Sequence, residues 1–327
     1  MPAASATPHA SAIRLQALTV RPESWFTERM PPASVSPSPA ARVAVCGPAS
    51  WNHLIVLDRL PEPVPHMQFA LDDRHTLGGT SAGKVLHLAD QGVEVALHAL
   101  IGDDDEGRRV TDALDAAHVP VAAYTSARTE RHANLMTRAG ERVSFYLSTP
   151  SSPTTADLDA VEAALAAAEI AVVDLSELGS ALVERRLAGA VGAPIWTDLH
   201  DYDGASTFHE PFVRAADVVF MNDDGTDDPW VLMQRCLDRG PRLAVCTLGA
   251  EGAIALSATG ERARVPAVPV EVVDTNGAGD AFFAGFLAAS RSGVDLTGCL
   301  TAGARQATVA LASEHLHPAV VALGPVP

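Results

Sequence analysis

The sequence predicts an α/β fold, doubly wound around a mostly parallel sheet, on three observations. Short apolar runs of strand length recur from residue 41 onward. Each is separated from the next by a stretch long enough for a crossover helix. Where those stretches are periodic, the period is helical. Residues 42–47 form the first such run. Ala82, Val85, Leu86 and Ala89 then recur at helical spacing, and Gly92 supplies a stop. A second run covers 93–101, and Val110, Ala113, Leu114 and Ala117 mark the helix after it. Further strands are expected at 170–175, 195–199, 218–221 and 243–247. Two segments, 61–77 and 121–147, lack a helical period. The second contains two alternating runs joined by Ala139-Gly140-Glu141, which reads as a hairpin. Strands that interrupt an α/β core commonly make a small separate sheet, which over an active edge acts as a lid.

The chain has 327 residues, of which 47% are hydrophobic and 19% charged, so it can bury a sizeable core. Its net charge of −17 argues against nucleic-acid and anionic-membrane partners, because an acidic surface repels polyanions. No apolar run approaches the ~18 residues of a membrane span. The four cysteines, Cys46, Cys236, Cys246 and Cys299, fit neither a disulfide framework nor a zinc pattern, and buried free thiols in a cytoplasmic protein are expected. Residues 1–40 are rich in Ala, Ser and Pro without the compact apolar segment of a signal peptide, and are expected to be a disordered tail ahead of one domain over 41–327. Lys84 is the sole lysine; every other basic residue counted in the charge is arginine.

The most informative string is Asp274-Thr275-Asn276-Gly277-Ala278-Gly279-Asp280, which opens an apolar helix. Small residues let backbone approach a ligand closely, and a helix start aims free N–H groups at an anion. Asp280 falls in the first turn, where the dipole favours its ionised form. An acid beside such amides suits phosphoryl transfer: the carboxylate takes the proton of an attacking hydroxyl while the amides stabilise the migrating group. The same string also serves as an ordinary helix start in which Asp280 satisfies the dipole.

Three other stretches carry chemistry. Gly78 to Lys84 satisfies G-x-x-x-x-G-K, but Val85 stands where a phosphate-binding loop needs Ser or Thr for magnesium, so a tight loop admitting a polar substrate is expected instead. Lys84 there is either a cation for an acidic substrate or a surface residue of the helix. Leu243–Thr247 runs into a turn with Gly249 and Gly252, either a nucleotide seat or a plain hairpin. The strand at 218–221 ends in Asn222-Asp223-Asp224-Gly225, whose oxygens are expected either to organise hydrated Mg²⁺ or to form a polar loop.

Together and in this order, over roughly 41–320, these stretches resemble the ribokinase-like (PfkB-type) carbohydrate kinases. The most specific part is the match of 274–280 to D-T-x-G-A-G-D. Gly78-Gly79, Leu100-Ile101-Gly102-Asp103-Asp104 followed by Gly107, and Thr247-Leu248-Gly249-x-x-Gly252 sit where that family places similar strings. The resemblance implies transfer of the γ-phosphoryl group of ATP, with Mg²⁺, to a primary hydroxyl of a sugar or sugar derivative under a β-sheet lid. It implies Asp280 as catalytic base and the amides of Gly277, Ala278 and Gly279 as anion hole. It implies Asn222, Thr247, Gly249 and Gly252 at the nucleotide, with Gly303, Ala304 and Ala307 on the adenine side. Asp274 and the carbonyl of Asn276 would correspond to a monovalent-cation site, with K⁺ the expected ion. Asn52, Gly78, Gly79, Gly83 and Lys84 would face the substrate. Lids in this family also build dimers through sheet edges, which makes a homodimer one expectation.

Departures concentrate on substrate and metal. The family's N-x-x-E reads Asn222-Asp223-Asp224-Gly225, so Asp223 or Asp224 must substitute for the glutamate. The acidic substrate ligand after the first strand is Asn52, and the Asn of G-G-x-x-x-N is Gly83, followed by Lys84. The glycine turn expected near the C-terminus reads 313–318, Ser-Glu-His-Leu-His-Pro. A nucleoside kinase is the alternative enzyme, disfavoured because aromatic residues are only 5% of the chain. A nucleotide- or sugar-sensing protein without turnover is the alternative outside enzymology.

Overall fold

The computed structural model describes residues 42–138, 140–189 and 192–320. The tail expected over 1–40, and Ala139 of the expected turn, lie outside the described residues. In chain order the strands are β1 (Val43–Cys46), β2 (Ser50–Leu57), β3 (Asp72–Gly78), β4 (Val95–Gly102), β5 (Val121–Ser126), β6 (Glu130–Thr137), β7 (Arg142–Ser148), β8 (Ile170–Val173), β9 (Ile195–Asp198), β10 (Val218–Asn222), β11 (Leu243–Thr247), β12 (Ala253–Ser257) and β13 (Arg262–Val265). The helices are α1 (Thr80–Asp90), α2 (Asp105–Ala116), α3 (Thr155–Ala167), α4 (Glu177–Leu187), α5 (Glu210–Ala215), α6 (Pro229–Leu237), α7 (Ala278–Arg291) and α8 (Leu296–Leu311).

Nine strands make one sheet in the order β13-β12-β11-β10-β9-β8-β1-β4-β5. Pairings from β11 through β5 are parallel, and only the pairings of β12, with β11 and with β13, are antiparallel. The parallel strands are buried on both faces. Val43 and Val45 of β1 pack into a core built with α1, α2, α7 and α8, whereas Ala44 and Cys46 face a second core built with α3 to α6. All four cysteines are buried and unbridged.

From β1 the chain first builds outward to β4 and β5, then returns to β8 on the other side. That reversal opens a crevice at the C-terminal ends of β1 and β8, where open α/β sheets bind ligands. Helix starts differ in how their free amides are met, and α5, which begins at His209, has no side-chain cap. Asp104, Thr154, Ser176, Asp228 and Asp295 each cap their helix through a side-chain oxygen. α1 and α7 begin instead at Gly79 and Gly277 with no side-chain cap.

The small sheet has the order β3-β2-β6-β7 and differs from expectation at its limits. Ser50–Leu57 is one of its two central strands, although no strand is expected there from the sequence. Of residues 61–77 only the part from Asp72 onward is extended, and Val121–Ser126 belongs to the large sheet, paired parallel to β4. The missing helical period in 121–126 marks an edge strand that passes to β6 without a crossover helix. The sheet is also not wholly antiparallel, since β2 and β6 pair in parallel.

α7 and α8 pack closely because Gly303 lacks a side chain: a Cβ there would lie 2.8 Å from the Phe282 carbonyl and 3.0 Å from its ring. Gly303→Leu wedges this seam and is expected to destabilise the protein by about 1–3 kcal/mol, measured as a lowered urea midpoint.

Candidate active site

Asp174 directly follows β8, Asp198 ends β9, and the first turn of α7 carries Asp280. The ammonium of Lys84, from the first turns of α1, reaches all three carboxylates: Nζ lies 2.9 Å from Asp280 Oδ1, 3.1 Å from Asp174 Oδ2 and 3.4 Å from Asp198 Oδ2. Lys84 is fully buried. Burial alone would lower its pKa, but the three carboxylates outweigh that and hold it above the ordinary lysine value. Ser81 adds a hydrogen bond from its hydroxyl to Asp174 Oδ2 at 2.7 Å.

One cation among three carboxylates leaves an excess of negative charge, and the carboxylates divide it unequally. Burial pushes Asp280 up to about 6, opposed by Lys84 and reinforced by Asp198. Burial acts the same way on Asp198, but His200 and Lys84 outweigh it and the net shift is downward. His200 sits in the left-handed region at φ 52°, and its amide donates to Asp198 Oδ1 at 3.0 Å. Asp280 is therefore the carboxylate poised to exchange a proton near neutrality.

The start of α7 faces the same crevice. Gly277 has φ 79°, a conformation favouring glycine, and a Cβ there would meet Leu316. No side chain caps this helix. The Ala278 amide makes a long 3.4 Å bond to the Thr275 carbonyl, so helix-start donors remain directed outward beside Asp280. Gly83 permits the approach of α1 to α7, since a Cβ on it would stand 2.9 Å from Asp280 Oδ2.

Over Asp280 lies a cavity of about 510 Å³ between the crevice and the small sheet. Its walls include Glu130, His132 and Asn134 of β6 and Arg142, Ser144 and Tyr146 of β7. Asn52 of β2 joins them, and the crevice contributes Gly47, Gly79, Glu177, His200 and Asn276. Alternation along β6 and β7 sends these polar residues inward and Leu135, Val143, Phe145 and Leu147 to the opposite face.

A cavity walled by polar side chains of β6 and β7 and by apolar residues such as Leu175 and Phe208, an acid with a raised pKa and an uncapped helix start at a sheet switch point form a candidate phosphoryl-transfer site in outline. The family model for pfkB family carbohydrate kinases matches residues 58–318. The chain belongs to this family. It is 33% identical over 270 residues to the acarbose 7(IV)-phosphotransferase of an Actinoplanes strain, covering 80% of this chain and 89% of that protein. It is 27% identical over 269 residues to a nucleoside kinase of Methanothermobacter thermautotrophicus, covering 77% and 84%. Among solved structures, a microbiome-derived acarbose kinase superposes with a TM-score of 0.75 at 29% identity, over 86% of this chain and 96% of that one. The chain is thus an ATP-dependent carbohydrate kinase of ribokinase-like fold.

Within this PfkB-family kinase the structure brings Asp280, Asn276, Asn52 and Gly79 together on one cavity. Asn52 Oδ1 accepts from Ser50 Oγ at 2.8 Å, and Gly78 backs the Asn52 amide. Asn222 and Thr247 are register partners at the ends of β10 and β11, further along the same edge, with Gly249 and Gly252 in the turn after Thr247. β11 and β12 pair as an antiparallel hairpin around that turn. Asp223 and Asp224 follow Asn222, whose Oδ1 accepts from the Asp224 amide at 3.1 Å.

Four expectations are corrected. Lys84 is neither a substrate-facing cation nor a surface residue, because its ammonium is buried and committed to three carboxylates. Gly83 backs Asp280 and does not line the cavity. Gly303 and Ala304 are buried in the α7–α8 seam, leaving only Ala307 of that trio partly exposed. The carboxylate of Asp274, expected at a cation site, is held by Arg74 Nη2 at 2.7 Å. A strand does precede Gly78, but it belongs to the small sheet, which is not the setting of a phosphate-binding loop. Asp174 and Asp198 were missed, although each follows an apolar run at a strand end. The inward residues of β6 and β7 were missed because alternation alone does not say which face meets a ligand.

Lys84→Met leaves three buried carboxylates without a counter-charge and is expected to cost about 3–5 kcal/mol near pH 7. The deficit should shrink as pH falls toward 5 and the carboxylates take up protons, which denaturant melts at several pH values will measure.

Proposed function

We propose that this kinase transfers the γ-phosphoryl group of ATP to a hydroxyl of an unphosphorylated, extended sugar, with Asp280 as the base. The observation that carries the proposal is the position of Asp280: it lines the roomy cavity, has a raised pKa and adjoins the start of α7, which no side chain caps. The acceptor hydroxyl gives its proton to Asp280, and the amides of Gly277, Ala278 and Gly279 stabilise charge on the transferring group. Asn222, Thr247, Gly249 and Gly252 border the nucleotide. Asp223 and Asp224, oxygen donors at an exposed strand end, fit Mg²⁺ held partly through water, and the ion would supply neutralisation of phosphate charge.

The cavity walls favour a neutral or amine-bearing sugar. Glu130, Glu177, Asp201 and Asp280 face it against the single guanidinium of Arg142, a balance that disfavours a phosphorylated acceptor. Tyr146 and Phe208 offer ring faces, and the buried Oδ1 of Asn134 has no hydrogen-bond partner among the described residues, so it can accept from a sugar hydroxyl. The volume lies within the range of sites that enclose drug-sized ligands, and the acarbose-phosphorylating relatives support more than one ring. The small sheet acts as a lid. Its outer face, with Phe145 and Leu147, and the highly exposed Met67 and Phe69 of the loop between β2 and β3 favour a homodimer in the cytoplasm.

A panel of mono- and oligosaccharides, amino sugars, sugar phosphates and nucleosides, assayed with Mg-ATP, tests the substrate class. Turnover is expected with unphosphorylated oligosaccharides or amino sugars. Preference for a sugar phosphate or a nucleoside refutes the assignment. With the best acceptor, Asp280→Asn should lower kcat by on the order of 10³-fold or more while ATP binding by calorimetry persists. Because Asp280 acts as its carboxylate, kcat/KM should fall about tenfold per unit as pH drops below about 6. A flat profile from pH 5 to 8 would assign the proton to another group.

A further inference from the structure

The oxygen donors expected to hold a monovalent cation are already engaged. Asp274 is buried beneath the small sheet; its Oδ1 accepts from the Asn276 amide at 2.8 Å and its Oδ2 from Arg74 Nη2 at 2.7 Å. Arg74 Nε donates to the Glu314 carbonyl at 3.1 Å, so one guanidinium bridges the loop before α7 and the loop after α8. The Asn276 side-chain oxygen accepts from Arg142 Nη1 at 3.3 Å. Both arginines come from the small sheet. Arg74 stands opposite Leu54 on the inner face of β3, and its neighbour on that face, Thr76, bonds His315 Nδ1 at 2.8 Å. These residues do not fit a site for K⁺ on Asp274.

We propose that Arg74 is a built-in cation for the anion-binding loop, a positioning residue that takes the electrostatic place of a monovalent ion. A guanidinium carries the same unit charge, cannot be deprotonated at ordinary pH, and satisfies two oxygens through a rigid fork. It neutralises Asp274, which in turn holds the Asn276 amide and so fixes the backbone leading into Gly277. The charge arrives with a strand of the small sheet, not from solution. Order in the loop therefore depends on the small sheet being in place and not on the concentration of K⁺. The inference rests on the kinase reading only for what the loop does; the charge replacement stands on the Arg74–Asp274 contact.

Melting temperatures of the full-length protein in choline chloride, NaCl and KCl at equal ionic strength test it. A bound cation stabilises the folded state by mass action, so the wild-type protein should melt within about 1 °C in all three salts. Arg74→Gln should melt lower in choline and recover by about 2 °C or more specifically in KCl or NaCl, as a cation enters the vacated position. Arg74→Ala is made in parallel, so that one misfolded variant does not decide the comparison. A K⁺-specific rise of that size in the wild type overturns the proposal. So do variants that fold yet stay as indifferent to K⁺ as the wild type, or variants that fail to fold in every salt. Because melting reads cation binding without turnover, an inactive protein would refute the kinase reading and leave this result standing.

Discussion

Three carboxylates share one buried ammonium in this molecule, and the rest of the site depends on that sharing. Lys84 ties α1 to β8, β9 and α7 across the switch point of the sheet. An isolated buried charge costs several kcal/mol, so each partner is stable only while the others are present. The arrangement is nonetheless short of positive charge by design. Full neutralisation would hold Asp280 low and make it a poor base; removing the ammonium would leave it protonated. A cation shared three ways puts Asp280 between those limits while Asp198 stays ionised.

The large sheet makes such sharing possible. Parallel strands bring their C-terminal ends to one edge, so residues far apart in sequence arrive side by side: Asp174 just after β8, and Asp198, Asn222 and Thr247 at the ends of the next three strands. α1 and α7, which begin in the crevice at glycines, forgo side-chain caps, and their donors are free to meet a ligand. The small sheet closes the other side with alternating strands, polar residues inward and apolar residues outward. Arg74 and Arg142 link its inner face to the loop before α7, coupling the cover to the catalytic edge.

Much of this was legible in sequence. Apolar runs and helical periods were enough for the doubly wound sheet, because fully buried parallel strands read as continuous apolar text. Asp280 and its glycines were legible because small residues before an acidic first turn are an unusual way to begin an apolar helix. Lys84 was misjudged for a physical reason: a lone lysine near a helix start is ordinarily solvated, and only three convergent carboxylates make its burial tolerable. Two of those come from strand ends 90 or more residues away. β2 escaped notice because Ser50-Trp51-Asn52-His53 interrupts its apolar pattern, as expected of a strand whose polar face lines a cavity. Arg74 gave no signal, since its partner lies 200 residues further along the chain.

Placing the only lysine beneath the active site has a chemical corollary. Every other side-chain cation in the sequence is a guanidinium or an imidazole, so the folded protein exposes no ε-amine on its described surface. Acylating agents, reducing sugars that glycate amines and lysine-directed modifying enzymes find their usual target only after the core opens. Carbohydrates rich in reactive aldehydes can thus be handled by this protein without covalent damage at its lysine.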